Sequence, residues 1–249
     1  MVLVTATDGG AGLAATTTLT SRTLAAVRRD ELQRSAEVLG VSELVCLGYA
    51  DSGLDGTGAS SIAGWGPTSA LPFAHVDVES AAEQVAGVVI AERAELLVGY
   101  DVVGGYGHPD HVQVHRVARR AAQISGEIAL LEATMPREPL ARAVRVAHSL
   151  RHLVPALGAL DPAAWARANT RQAAITHRVD VRRFADSKRA ALAVHASQAT
   201  ADDDVRTIQV LLRLPRPVFR RLLGWEWFRG TRSTRYPYFG HPLAALGKD

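Results

Sequence analysis

The eight residues Gly104-Gly105-Tyr106-Gly107-His108-Pro109-Asp110-His111 bring together the side chains of this sequence best suited to chemistry. His108 and His111 stand three residues apart with Asp110 between them as an orienting partner, and Pro109 suits the first position of a helix. Both imidazoles therefore lie in one helical turn and can project to one side. The glycines ahead of them let a ligand approach the backbone, and a helix N-terminus favours developing negative charge. A lone histidine is usually a core or surface residue. Two histidines and an aspartate after a glycine turn that follows a strand point instead to a functional site. Tyr106, inside the turn, either hydrogen-bonds a reacting carbonyl or packs the loop. His115, one turn beyond His111, is read as an ordinary helix-face residue rather than as the third member of a His108/His111/His115 metal site.

The elements that must position this segment read as alternating strands and helices. Residues 1–5 (MVLVT) form a short apolar strand, and an amphipathic helix from Ser21 to Leu39 stops at Gly40. Residues 43–49 (ELVCLGY) are a second strand, followed by a long Gly/Ser-rich loop over 51–67. Helical spacing over 76–93, an apolar strand over 96–101, a helix opening at Pro109 and a strand over 128–134 complete the series. This order predicts an α/β fold with a Rossmann-like, doubly wound parallel sheet, in which the loops 6–12, 50–66 and 102–108 leave strand C-terminal ends and converge on one crevice. Beyond Met135 the pattern is mainly helical: two helices within 139–170 broken around Pro155 and Asp161-Pro162, an edge strand over 175–181, a helix over 184–198 and a basic, aromatic tail. The whole, 1–249, reads as one domain, with a sheet core to residue 135 and a helical extension after it.

Composition narrows the class. Apolar residues make up 47% and charged residues 21% of 249, an ordinary globular balance. The single cysteine, Cys46, excludes a disulfide framework and cysteine-cluster zinc sites, so any metal is held by histidine and carboxylate. No apolar run reaches the roughly 18 residues a membrane span needs, and the N-terminus lacks a signal-peptide pattern, so the cytoplasm is the expected compartment. The net charge of +3 conceals −8 over residues 1–140 and +11 over 141–249. The basic half is read as a solvated, arginine-rich surface in preference to an anion-binding one.

The chain resembles the LmbE-like, or PIG-L, family of zinc-dependent de-N-acetylases. The segments that carry the resemblance are TATDGGAG (5–12), RRDEL (28–32), LGYADSG (47–53), YDVVGGYGHPDH (100–111) and KRAALAVHASQ (188–198). The resemblance implies zinc, with His111 a metal ligand, and a catalytic pair in which His108, held by Asp110, stabilises the tetrahedral intermediate. It places Arg28, Asp51 and Tyr106 against the substrate, an N-acetylated amino sugar of the GlcNAc type or a similar amide. From the residues alone, Arg28 with Glu31 could equally be a solvated ion pair, and Asp51 could serve only an Asx-turn. His195 is expected to support packing near the site. The remaining histidines, His75, His148, His152, His177 and His241, sit in no ligand motif.

One departure bears on mechanism. Members of the family open with an AHPDDE-type segment that supplies a His and an Asp to zinc and a further Asp as general base, and this sequence contains none. It begins at what corresponds to the family's second strand, so a true start about 25 residues upstream, one strand and one helix with their loops, is expected. Hydrolysis of an amide by zinc takes three protein ligands, an open position for water and a carboxylate base. One histidine does not hold catalytic zinc, and Asp8 is read as a turn residue rather than a substitute ligand, so the 249 residues by themselves are expected to be inactive. Gly10 also replaces a glutamate common in the family's TDGEAG turn. The favoured reading is a cytoplasmic zinc-dependent deacetylase. The alternative is a family member that binds a ligand in the crevice without zinc. A third reading docks the tail, Val205 to Tyr238, on anionic lipid or nucleic acid; no nucleic-acid partner is expected, and tail residues capping the sheet account for the same apolar pattern.

Overall fold

The computed structural model describes residues 1–7, 9, 21–53, 69–153, 157–158, 160–195 and 207–230. Asp8, Gly10, most of the loop 51–67, Pro155, the end of the KRAALAVHASQ segment and the tail beyond Gly230 lie outside them. The chain divides into two compact units that interleave in sequence, residues 1–76 with 180–225 and residues 77–179 with 226–249.

In the first unit, β1 (Val2–Thr7) pairs in parallel with β2 (Glu43–Ala50), which pairs in parallel with β3 (Ser69–Pro72). The crossover between β1 and β2 includes α1 (Ser21–Val38). That helix stops where the sequence places a glycine: Gly40 adopts φ +69°, its N–H donates to Glu37 O at 3.0 Å, and Val41 N donates to Ala36 O at 2.9 Å. These two bonds are a Schellman closure, which needs a left-handed residue and so favours glycine. Leu47, Tyr49, Ala50 and Phe73 form apolar core, with the Tyr49 and Phe73 rings 5.3 Å apart. On the helical side, α6 (Ala185–Val194) packs on α1, and α7 (Thr207–Arg213) and α8 (Arg216–Leu223) pack on α6. Arg189 of α6 reaches the carbonyls of Leu212 and Leu214 and lies over the buried Phe219 ring, fixing the turn between α7 and α8.

The second unit holds β4 (Leu96–Tyr100), β5 (Ala129–Thr134), β6 (His177–Asp180) and β7 (Trp225–Gly230) in the spatial order β4-β5-β7-β6. Here β4 and β5 are parallel, joined through α3 (Pro109–Ile124), while α2 (Val78–Ala91) packs beside α3. Alanines 81, 82, 86, 118, 121 and 122 are all buried, so the two helices approach closely over small side chains. Gly99 of β4 serves the same end, because a Cβ there would stand 2.9 Å from Ala118 Cβ. After β5 come α4 (Arg137–Ser149) and α5 (Pro162–Arg167), the latter capped by the Asp161 carboxylate accepting from Ala163 N.

The α/β pattern, the parallel pairings and the edge position of β6 agree with the sequence reading. One strand departs from it. Within the basic, aromatic tail, for which no strand was expected, Trp225–Gly230 forms β7, antiparallel to β5, with Thr134 opposite Trp227 and Leu131 opposite Gly230. Aromatic residues favour a pleated, half-buried strand, and antiparallel pairing requires no helical crossover. The tail residues thus enter the second sheet between β5 and β6. Among the described residues no helix is long and apolar enough to cross a membrane.

Candidate active site

His108 is the N-cap of α3, and its side chain does the capping: Nδ1 accepts from Asp110 N at 3.2 Å. A nitrogen that accepts carries no proton, so His108 holds its proton on Nε2. His111 makes the opposite choice. Its Nδ1 lies 3.2 Å from the carbonyl oxygen of Gly104; a carbonyl only accepts, so the proton is on Nδ1 and Nε2 is the unprotonated nitrogen. The two rings are 5.0 Å apart. One turn of helix therefore presents a hydrogen-bond donor and a lone-pair donor side by side.

Aromatic rings hold this pair. Tyr100, the last residue of β4, stacks on His111 with centroids 4.0 Å apart and planes 6° from parallel, and Tyr106 meets His111 edge-on at 5.2 Å. Tyr106 itself is exposed at the mouth of the turn and lies edge-on to His108 at 6.1 Å. Burial raises the Tyr100 hydroxyl above its ordinary value, so it stays protonated at neutral pH. Asp110, buried in the first turn, is placed where its charge favours the helix N-terminus. His115 belongs elsewhere: it is buried, with Nδ1 3.2 Å from Tyr100 O and 3.4 Å from the Glu132 carboxylate, as the helix-face reading anticipated.

The structure also contains site residues that the motif did not reveal. Asp101, directly after β4, is fully buried and accepts from Gly105 N at 2.9 Å, Thr134 Oγ1 at 2.5 Å and Thr170 Oγ1 at 2.9 Å. The signal available in the sequence was a lone acidic residue closing an apolar strand immediately before a glycine turn.

In the first unit, Arg28 donates to Gly9 O, and Glu31 is buried rather than solvated. Asp51 is buried and accepts from Gly53 N at 2.9 Å, the Asx-turn of the bland reading. Its neighbour Ser52 accepts from Ala74 N and ties β2 to the residue after β3. His195 is half-buried; desolvation lowers its pKa, opposed by Glu31 and assisted by Arg28. His195 thus shares one environment with Glu31 and Arg28.

As a zinc donor, His111 fits: its Nδ1–H is anchored on a backbone carbonyl, the usual way a ligating imidazole is oriented, which leaves Nε2 the unprotonated nitrogen. A catalytic zinc takes three protein donors.

Comparisons with known proteins place the chain in a family. The family model described as GlcNAc-PI de-N-acetylase, PIG-L, matches residues 1–122. A 1D-myo-inositol 2-acetamido-2-deoxy-alpha-D-glucopyranoside deacetylase of Nocardiopsis dassonvillei is 36% identical over 228 residues, 82% of this chain and 76% of that protein. Its counterpart in Acidothermus cellulolyticus is 31% identical over 222 residues, 86% of this chain and 70% of that protein. Among solved structures, N,N'-diacetylchitobiose deacetylase from Pyrococcus horikoshii superposes with a TM-score of 0.50 at 21% identity, over 98% of this chain and 77% of that one. The 4-carboxy-2-hydroxymuconate hydratase of Pseudomonas putida gives 0.54 at 16%, over 98% and 87%, a likeness of fold. With relatives above 30% identity aligned over more than two thirds of their own length, this chain belongs to the PIG-L, or LmbE-like, family of de-N-acetylases.

Proposed function

We propose that the protein is a zinc-dependent hydrolase that removes the acetyl group from a GlcNAc-type amino sugar, with 1D-myo-inositol 2-acetamido-2-deoxy-α-D-glucopyranoside as its substrate. The observation that carries this reading is the opposed tautomers of His108 and His111 on one helical turn. Amide hydrolysis passes through a tetrahedral oxyanion, and a preorganised N–H aimed at that oxygen is its main stabiliser. His108 Nε2–H is such a donor, held because its Nδ1 is occupied in capping α3. His111 Nε2 is the acceptor-type nitrogen that a metal takes. Zinc, when bound, would polarise the amide carbonyl and lower the pKa of a bound water.

Tyr106 stands exposed beside both rings, where its hydroxyl can meet the carbonyl of a bound substrate. Asp110 orients His108 through its backbone N–H and keeps negative charge at the helix start. Arg28 and Asp51 are assigned to the sugar hydroxyls through their match to the family pattern. The decisive experiment is an assay of the protein isolated from its own source, supplied with zinc and this glycoside. Release of one free amine per acetate supports the reading. Binding of the glycoside with no amine released at any zinc level would support instead a member of the family that holds its ligand without hydrolysing it.

A further inference from the structure

The peptide unit between Gly104 and Gly105 is gripped from both sides. Its N–H, on Gly105, donates to Asp101 Oδ1 at 2.9 Å, and its C=O, on Gly104, accepts from Gly107 N at 3.2 Å and faces His111 Nδ1 at 3.2 Å. In a trans peptide these two groups point in opposite directions, so the orientation that satisfies Asp101 also aims a carbonyl at His111. Glycines flank the bond, both at φ +66°, a conformation they adopt freely. The unit could therefore turn over unless something holds it, and in the turned state an N–H would face His111 and call for the other tautomer.

Asp101 is built to hold it. The carboxylate is fully buried and makes no ion pair among the described residues. Its three partners are neutral donors from three separate segments: Gly105 N, Thr134 Oγ1 at the end of β5 and Thr170 Oγ1. The same segments are cross-tied by Asn169 N donating to Gly105 O at 2.7 Å, by Thr170 N donating to Thr134 Oγ1 at 3.0 Å and by Arg137 Nε donating to the Ala168 and Asn169 carbonyls at 3.1 Å. A carboxylate only accepts, so Gly105 N–H has one permitted direction.

We infer that Asp101 is a positioning residue, acting through the Gly104–Gly105 peptide to fix the tautomer of His111 and keep its Nε2 unprotonated. This deepens the reading of His111 as the metal-facing histidine, but its test needs neither metal nor substrate. The 249-residue protein, labelled with ¹⁵N-histidine and held at a pH where the imidazoles are neutral, reports each ring's tautomer by NMR, with His111 assigned by an H111Q variant. The wild type is expected to show His111 protonated on Nδ1 and His108 on Nε2. Asp101→Ala should lower the ratio of the two His111 tautomers at least about tenfold, as loss of a charge-assisted hydrogen bond implies. Asp101→Asn, whose amide oxygen still accepts from Gly105 N, should restore the ratio. A Thr134→Val/Thr170→Val double variant, which loosens the hub but keeps the grip on Gly105, should leave it unchanged. A wild-type His111 protonated on Nε2, or a folded Asp101→Ala protein with an unchanged ratio, overturns the inference. Where Asp101→Ala does not fold, the wild-type scalar couplings across the two hydrogen bonds, Gly105 N–H to the Asp101 carboxyl carbon and His111 Nδ1 to the Gly104 carbonyl carbon, decide it, and absence of either sinks it.

Discussion

The Tyr100 ring lies flat on the His111 imidazole, 4.0 Å between centroids and 6° from parallel. The contact joins the last residue of β4 to the first turn of α3, so the end of the strand fixes the plane of the histidine. Stacking of this kind contributes about 0.5–1.5 kcal/mol beyond area burial. Tyr100→Phe, which keeps the ring, should leave kcat/KM of the active protein within about twofold. Tyr100→Leu should lower it roughly two- to tenfold, the rate equivalent of that range. Equal rates for the Leu and Phe variants would show that the stack positions nothing.

His108 tests the oxyanion assignment. Loss of one such donor typically costs roughly 100- to 1,000-fold in kcat. His108→Ala, made in the protein as its own host produces it, should show a loss of that order with KM little changed. A loss confined to KM would make His108 a substrate-binding residue instead. His108→Asn, which can still cap α3 through its side-chain oxygen, separates loss of the donor from loss of the cap: helix stability measured by urea unfolding should recover while kcat does not.

Metal content gives a separate check. The expectation that His111 alone of these 249 residues donates to zinc, against the three donors a catalytic site uses, is open to direct test. The 249-residue chain, dialysed against zinc and measured by elemental analysis, should retain well under one equivalent, and His111→Ala should retain less. A full equivalent that survives a chelator would mean that other donors of this chain complete the site.

Much of this was legible in the sequence because it rests on local rules. Gly40 marks the end of α1, Pro109 the start of α3, and the β-branched and leucine-rich runs the parallel strands, each within a few residues of what signals it. The pair His108 and His111 was legible for the same reason. The tautomers were not, since they depend on where the Gly104 carbonyl and the Asp110 N–H point. Asp101 was missed because its partners Thr134 and Thr170 lie 33 and 69 residues away. The tail was read as capping the sheet, but that Trp225–Gly230 joins it as a strand depends on its register against β5, which no local signal gives. Fold alone did not select the reaction either, for a hydratase shares this architecture.

Acid should reach one exposed pair only at low pH. The Asp180 carboxyl is lowered to about 2, chiefly by its hydrogen bonds from the Arg182 side chain and then its backbone N–H. A carboxyl whose folded pKa lies below its unfolded value stabilises the fold above the unfolded value, and that contribution disappears as pH falls through the folded one. The window here runs from about 4, the ordinary aspartate value, down to about 2. The pair is solvent-exposed, so its worth at neutral pH is small. Asp180→Asn should leave the urea midpoint at pH 7 nearly unchanged and flatten the fall in midpoint between pH 4 and pH 2. An unchanged acid slope would assign that loss to other carboxyls.

Gly99 carries the last prediction, because it sets how closely α3 lies on β4. A methyl group at position 99 would stand 2.9 Å from Ala118 Cβ, inside van der Waals contact, and Ala118 is buried on a helix packed by other alanines against α2. Neither backbone can yield without moving the helix whose first turn carries His108 and His111. Gly99→Ala should therefore destabilise by about 1–3 kcal/mol, the usual cost of overpacking, read as a lower urea midpoint. Ala118→Gly in the same chain removes the opposing methyl and should recover most of the packing loss, less about 1 kcal/mol for glycine within a helix. If the double variant is no more stable than Gly99→Ala alone, the clash lies elsewhere. If Gly99→Ala is as stable as the wild type, α3 can shift outward without cost, and the stacking of Tyr100 on His111 should then be lost in that variant.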